Sequence, residues 1–226
     1  MKVMPWDRKK ISEKTLELNF ASQLNHRIGG NLLWFGLTQK QEAEAGFDIA
    51  TRVGQDMFIV QMKASANILK KSKARQFKIP HDQLQSLLRL QLPLGHVFYA
   101  FPLIGTTQDL ATHQDVVGNT WLCDITLLKN VDEPLTRTGT PRKDGCHYVQ
   151  VTPAEAPISP LAAGRAVFHS KPVTVDLVLP DQALTRDPIA GEREGNLLSR
   201  MDGSFEFFWS LFELFQSKAL VIIRVG

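Results

Sequence analysis

Within the stretch GFDIATRVGQDMFIVQMKAS, residues 46–65, a carboxylate (Asp48), a neutral oxygen donor (Gln61) and an amine (Lys63) fall close together. This is the equipment of metal-assisted phosphodiester cleavage. A hard divalent cation such as Mg2+ or Mn2+ takes several oxygen ligands. Asp48, the Gln61 carbonyl oxygen and the backbone carbonyl that follows it can supply them. Such an ion polarises a phosphate and lowers the pKa of a water nucleophile, while Lys63 orients that water or stabilises charge building on the phosphate. Glu17, further upstream, adds a carboxylate directly or through water. An amide in place of an acid leaves the site less negative, so metal binds more weakly and phosphate is repelled less.

These groups need a scaffold, and the surrounding pattern predicts one. Phe47–Arg52 reads as a strand, Gly54-Gln55-Asp56 as a turn, and Met57–Ala64 as a second strand. Side chains alternate along a strand, so Phe58, Val60 and Met62 form a core face and Ile59, Gln61 and Lys63 share the other. Ser12 can cap a helix running to about Ile28, with Leu16, Phe20, Leu24 and Ile28 as its apolar stripe and Gly29-Gly30 as its stop. Glu17 lies beside that stripe, at the margin of the core. Leu32–Leu37 is an apolar strand or an approach loop. Pro80 opens a helix with Leu84, Leu87, Leu88 and Leu92 on one face, and Pro93 and Gly95 end it. His96–Leu103 is a dense apolar run, read as a central strand. The order helix, strand, strand, helix, strand predicts an α/β layer arrangement.

Charge is distributed unevenly. The net value of +3 decides little, but Lys63, Lys70, Lys71, Lys73, Arg75 and Lys78 follow one another with no acidic residue between Met62 and Pro80. A polyanion crossing the site would meet this field first. The alternative is a solvated surface, and the segment Ala66–Ile79 reads as partly helical. Ser65 is placed to donate a hydrogen bond to phosphate. The histidines are scattered, with no metal-ligand spacing, and no Walker loop or dinucleotide-binding glycine pattern occurs.

The chain of 226 residues, 43% apolar, is long enough for one domain with a sizeable core. Cys123 and Cys146 lack metal spacing, and no signal peptide points to an oxidising compartment. No run is long and apolar enough to span a membrane, so the expectation is a soluble cytoplasmic protein. Residues Gly105–Thr120 read as loop, Leu161–Phe168 as a short helix, and Val173–Leu179 as a strand. Ser204–Ser217, SFEFFWSLFELFQS, presents an aromatic helical face that needs cover, from its own domain or from a partner. Leu220–Val225 then reads as a strand.

The stretch GFDIATRVGQDMFIVQMKAS resembles the catalytic core of the PD-(D/E)XK nuclease superfamily, most closely Mrr-type restriction endonucleases and Holliday-junction resolvase-like nucleases with a QxK motif. In that pattern a glycine, an apolar residue and an aspartate precede a hairpin ending in Gln or Glu, any residue, and Lys. Glu17 matches the helical glutamate, Asp48 the strand aspartate, Gln61 the variable acid or amide, and Lys63 the lysine; Glu13 or Glu42 could replace Glu17. No proline precedes Asp48. The resemblance covers residues 12–103. It implies a restriction-endonuclease-like central mixed sheet flanked by helices, with residues 1–130 as the nuclease-like core and 131–226 as a C-terminal extension, separate or part of the same domain. It further implies an Mg2+-dependent deoxyribonuclease, with Mn2+ as an alternative ion, acting on DNA in defence or repair. A second reading keeps the fold without cleavage, as a nucleic-acid-binding or structural subunit. Assembly as a homodimer or larger complex would then run through the aromatic helix.

Overall fold

The computed structural model describes residues 9–28, 32–37, 42, 46–53, 56–90, 95–131, 145–152, 164–168, 173–180, 183 and 221–224. The first helix, α1 (Glu13–Arg27), starts where the Ser12 hydroxyl accepts a hydrogen bond from the Thr15 amide at 3.1 Å. That bond satisfies one of the donors a helix start leaves open. Leu16, Phe20, Ala21 and Leu24 recur every three or four residues and are buried. They meet Trp34, Phe58, Val60 and Met62 in one core cluster, with Trp34 edge-on to both Phe20 and Phe58. Truncating Phe20 to alanine would cost about 3–5 kcal/mol here.

Six strands form the main sheet. β1 (Leu33–Gly36), β2 (Ile49–Val53) and β3 (Asp56–Met62) run as an antiparallel meander. β3 then pairs parallel with β5 (Gly95–Pro102), which pairs antiparallel with β6 (Thr120–Asp124). β10 (Val221–Arg224) closes the other edge against β1, giving the order β10-β1-β2-β3-β5-β6. A parallel pair needs a crossover, and this one holds β4 (Arg75–Pro80) and α2 (His81–Leu88). β4 leaves the main sheet to begin a second one with β7 (Cys146–Val151), β8 (Gly164–Phe168) and β9 (Val173–Leu177), all antiparallel. Just past β9, Val178 exchanges two backbone hydrogen bonds with Leu122 of β6, of 2.8 and 3.0 Å.

Strand alternation assigns the two faces. Phe58, Val60 and Met62 face α1, whereas Ile59 belongs to a second cluster with Phe77, Ile79, Leu84, Leu87, Tyr99, Val149 and Leu177. The result is a mixed sheet with helices over both faces. Among the described residues, no helix is long and apolar enough to cross a membrane.

Several elements differ from their sequence reading. The basic segment is not helical: its second half is β4, whose Phe77 and Ile79 are buried between outward Gln76, Lys78 and Pro80. Period two wins because β7 supplies a partner from far along the chain. Within Gly105–Thr120, read as loop, lies α3 (Thr107–His113), held by a reciprocal capping box between Thr106 and Asp109. Gly164–Phe168, read as helix, is strand β8. The second helix, read through Leu92, ends at Leu88, while the aromatic stretch Ser204–Ser217 and the hairpin glycine Gly54 lie outside the described residues.

Candidate active site

Asp48 sits where β1, β2 and β3 end together. Its carbonyl accepts from the Leu37 amide at 3.1 Å and its amide donates to the Val60 carbonyl at 3.3 Å. The strand ladder stops there, and the side chain takes over. Asp48 Oδ2 accepts from the Met62 amide and from Gln61 Nε2, both at 2.7 Å. Gly46, two residues earlier, has φ +83° and passes so close to α2 that a Cβ would stand 3.1 Å from Ser86 Cβ. Glycine both adopts that φ and leaves room for the approach.

Gln61 is almost fully enclosed, at 1% exposure. Its Nε2 makes a second bond to the Met62 carbonyl at 3.1 Å, while its Oε1 is buried without a hydrogen-bond partner. Tyr99, its register neighbour on β5, also buries an unpartnered hydroxyl. Lys63 follows on the same side, 7% exposed, with its backbone amide bonded to the Ala100 carbonyl at 2.9 Å.

The acids of α1 complete the rim. Glu17 is buried in spite of its charge. Glu13 Oε1 accepts from the Ala64 amide at 3.0 Å, tying the helix start to the residue after Lys63. Lys14 Nζ joins Glu17 Oε2 at 2.5 Å to Glu42 Oε1 at 3.3 Å. The three acids that compete for one role in the sequence are thus gathered by a single helix start, each with a different set of neighbours.

Burial dominates the electrostatics. It pushes the Asp48 carboxyl up to about 7, with the Glu17 charge adding to the rise and Lys63 and the Met62 amide opposing it. Burial also raises Glu17, against the pull of Lys14. These shifts place Glu17 and Lys63 within electrostatic reach of Asp48. Two carboxylates in a poorly solvated site would be held ionised by a cation between them.

A hard cation would find only part of an oxygen ligand set here. Asp48 Oδ2 is saturated, but among the described residues no hydrogen bond falls on Oδ1. Gln61 Oε1 is a neutral oxygen with no competing donor. Glu17 would contribute after release from Lys14. The set contains an amide in place of an acid, and among the described residues no group of three or more His, Cys, Asp or Glu is arranged to hold a metal ion.

The basic run divides. Lys70, Lys71, Lys73 and Lys78 are exposed. The first three cap a hairpin closed by Gln76 N to Asn67 O at 2.9 Å, and Lys73 takes a left-handed φ of +58° at its tip. Ser65 and Arg75 do not join them. Ser65 Oγ donates to the Gln76 carbonyl and accepts from the Asn67 amide, while Arg75 binds the Ser65 carbonyl at 2.6 Å and Asp109 at 3.3 Å. Both are buried, so they build the hairpin base that carries the lysines.

Sequence reasoning missed Lys14 and Tyr99. The Lys14–Glu17 spacing of three on a helix was a usable signal. For Tyr99, only its hydroxyl within an apolar strand marked it. Compared with protein-family models, curated proteins and solved structures, the chain matches none.

Proposed function

We propose that this chain is a metal-dependent endonuclease of the PD-(D/E)XK kind, hydrolysing phosphodiester bonds in DNA. The observation that carries the reading is the joined pair Asp48–Gln61 at the end of two neighbouring strands, with Lys63 next on the same side. The element order supports it: a helix, an antiparallel meander, then a crossover to a strand parallel with β3, as the restriction-endonuclease-like fold would have.

In this reading Asp48, Gln61 Oε1 and Glu17 would hold Mg2+ or Mn2+, which would supply a water of lowered pKa and a polarised phosphate. Lys63, whose charge acts on Asp48, would orient the attacking water and offset charge growing on the phosphate. Water adds to phosphorus, the bond to the leaving oxygen breaks, and a free hydroxyl and a phosphate end result without a covalent intermediate. Lys70, Lys71, Lys73 and Lys78 hold the DNA backbone near the site. Defence against foreign DNA and repair are the settings this activity fits, in the cytoplasm.

The alternative is an inactive nuclease-fold protein that binds nucleic acid or serves as a structural subunit of a homodimer or larger complex. The amide at Gln61 and the buried Lys63 favour it. A cleavage screen separates the two, using duplex, branched and single-stranded substrates with Mg2+ or Mn2+, for the parent and Asp48→Asn. Cleavage by the parent alone is expected. Equal activity in both, or none in the parent with any substrate, overturns the endonuclease reading.

A further inference from the structure

Among the described residues, four buried side-chain polar atoms have no hydrogen-bond partner: Trp34 Nε1, Gln61 Oε1, Gln83 Oε1 and the Tyr99 hydroxyl. Trp34 belongs to the α1 side of the sheet. The other three belong to the opposite side, where α2 packs. One step past the β2–β3 ladder, Asp48 stands opposite Gln61, and Gln61 pairs with Tyr99 across β3 and β5. Residues opposite one another share a face, on strands about 4.8 Å apart. A row of three polar residues thus crosses three strands, all of it buried. Tyr99 shares its apolar cluster with Leu84 and Leu87 of α2, and Gln83 precedes Leu84 on that helix. Burial, then Cys123 on β6 and then Asp48, hold the Tyr99 hydroxyl well above its ordinary pKa, so it stays protonated and able to donate.

We propose that this interface binds one ordered water molecule, which accepts from the Tyr99 hydroxyl and donates to Gln61 Oε1, with its second hydrogen directed to Gln83 Oε1. A buried polar group without a partner is costly. One donor and two acceptors are the set that a single water satisfies, and buried waters typically make about three such bonds. The Gln61 amide has no remedy in turning over. Its Nε2 serves Asp48 Oδ2 and the Met62 carbonyl, two acceptors that would repel an oxygen in its place. Gln61 Oε1 must therefore find a donor elsewhere, and Tyr99 is its neighbour in the sheet. Through this water Tyr99 acts as a positioning residue: it holds the Gln61 amide in the orientation that binds Asp48. The water belongs to the ion-free chain and does not rest on the endonuclease reading.

The test compares the parent with Tyr99→Phe in chelator, by urea unfolding and by water-selective NOE spectroscopy. In the parent, a long-lived water should give a cross-peak to the Tyr99 hydroxyl proton. Tyr99→Phe should raise the unfolding constant about fivefold, the loss of one neutral hydrogen bond. It should also speed solvent exchange of the Gln61 Nε2 protons, which loss of packing at Tyr99 alone would leave unchanged. A dry interface predicts the opposite sign: removing an unpartnered hydroxyl would leave the urea midpoint unchanged or raise it. Either of those results overturns the proposal. A lower midpoint with no water cross-peak in the parent overturns it too, and unchanged Gln61 exchange overturns the positioning role. The parent's cross-peak decides the matter even where Tyr99→Phe does not fold.

Discussion

Gln61 Nε2 donates to Asp48 Oδ2 at 2.7 Å, and that oxygen also accepts the Met62 amide at 2.7 Å. The aspartate thereby terminates the pairing of β2 with β3, and among the described residues no hydrogen bond falls on its other oxygen.

Asparagine and alanine at this position should behave differently. Asp48→Ala strands a buried Met62 donor, which costs about 1–3 kcal/mol. Asp48→Asn keeps an acceptor for it. Both should abolish Mn2+-dependent cleavage, but only the alanine variant should lower the denaturation midpoint at pH 5.

The same residue gives a pH dependence. With a folded value of about 7 against 3.8 unfolded, native Asp48 binds more protons than the unfolded chain between these limits. Its contribution is fully present below pH 4 and lost as pH rises through 7. In chelator, Asp48→Asn should thus gain on the parent from pH 4 to 8, by roughly 2–4 kcal/mol. Urea unfolding at both ends of that range checks the sign.

A second pair pulls the other way. His81 Nδ1 and His147 Nε2 lie 2.9 Å apart, and His147 is fully buried. Burial, and then His81, lowers the His147 value from 6.5 to about 4. The unfolded chain then binds the extra proton, so stability present above pH 6.5 falls away as pH drops towards 4, by something on the order of 3 kcal/mol. In Asp48→Asn, where the opposing effect is gone, acid destabilisation should become plain. A flat profile from pH 4 to 6.5 in that variant would contradict it.

The basic hairpin should separate binding from folding. Replacing Lys70, Lys71 and Lys73 with alanine should reduce the salt slope of DNA binding by up to about 0.9 for each phosphate that is no longer neutralised, with the melting temperature unchanged. Arg75→Ala should instead lower stability, by roughly 1.5–3 kcal/mol, because its guanidinium ties β4 to the Ser65 carbonyl and to Asp109. Filter binding over a salt series, beside thermal melts, distinguishes the two.

Local pattern alone settles α1, the β2–β3 hairpin, the start of α2 and the apolar strand β5. In each, one periodicity and one set of end signals agree within a short window. The same window puts Gln61 and Lys63 on one side of a strand, and Asp48 at the start of its neighbour. Tertiary structure decides what depends on residues far apart in the chain. β4 is a strand because β7 pairs with it, and β3 lies parallel to β5 because the crossover is long enough to carry β4 and α2. Ser65 and Arg75 turn inward because Gln76 and Asp109 offer them partners. Glu13, Glu17 and Glu42 look alike along the chain. Only packing gives them different neighbours, since burial and charge depend on distance through space, to which sequence separation is blind.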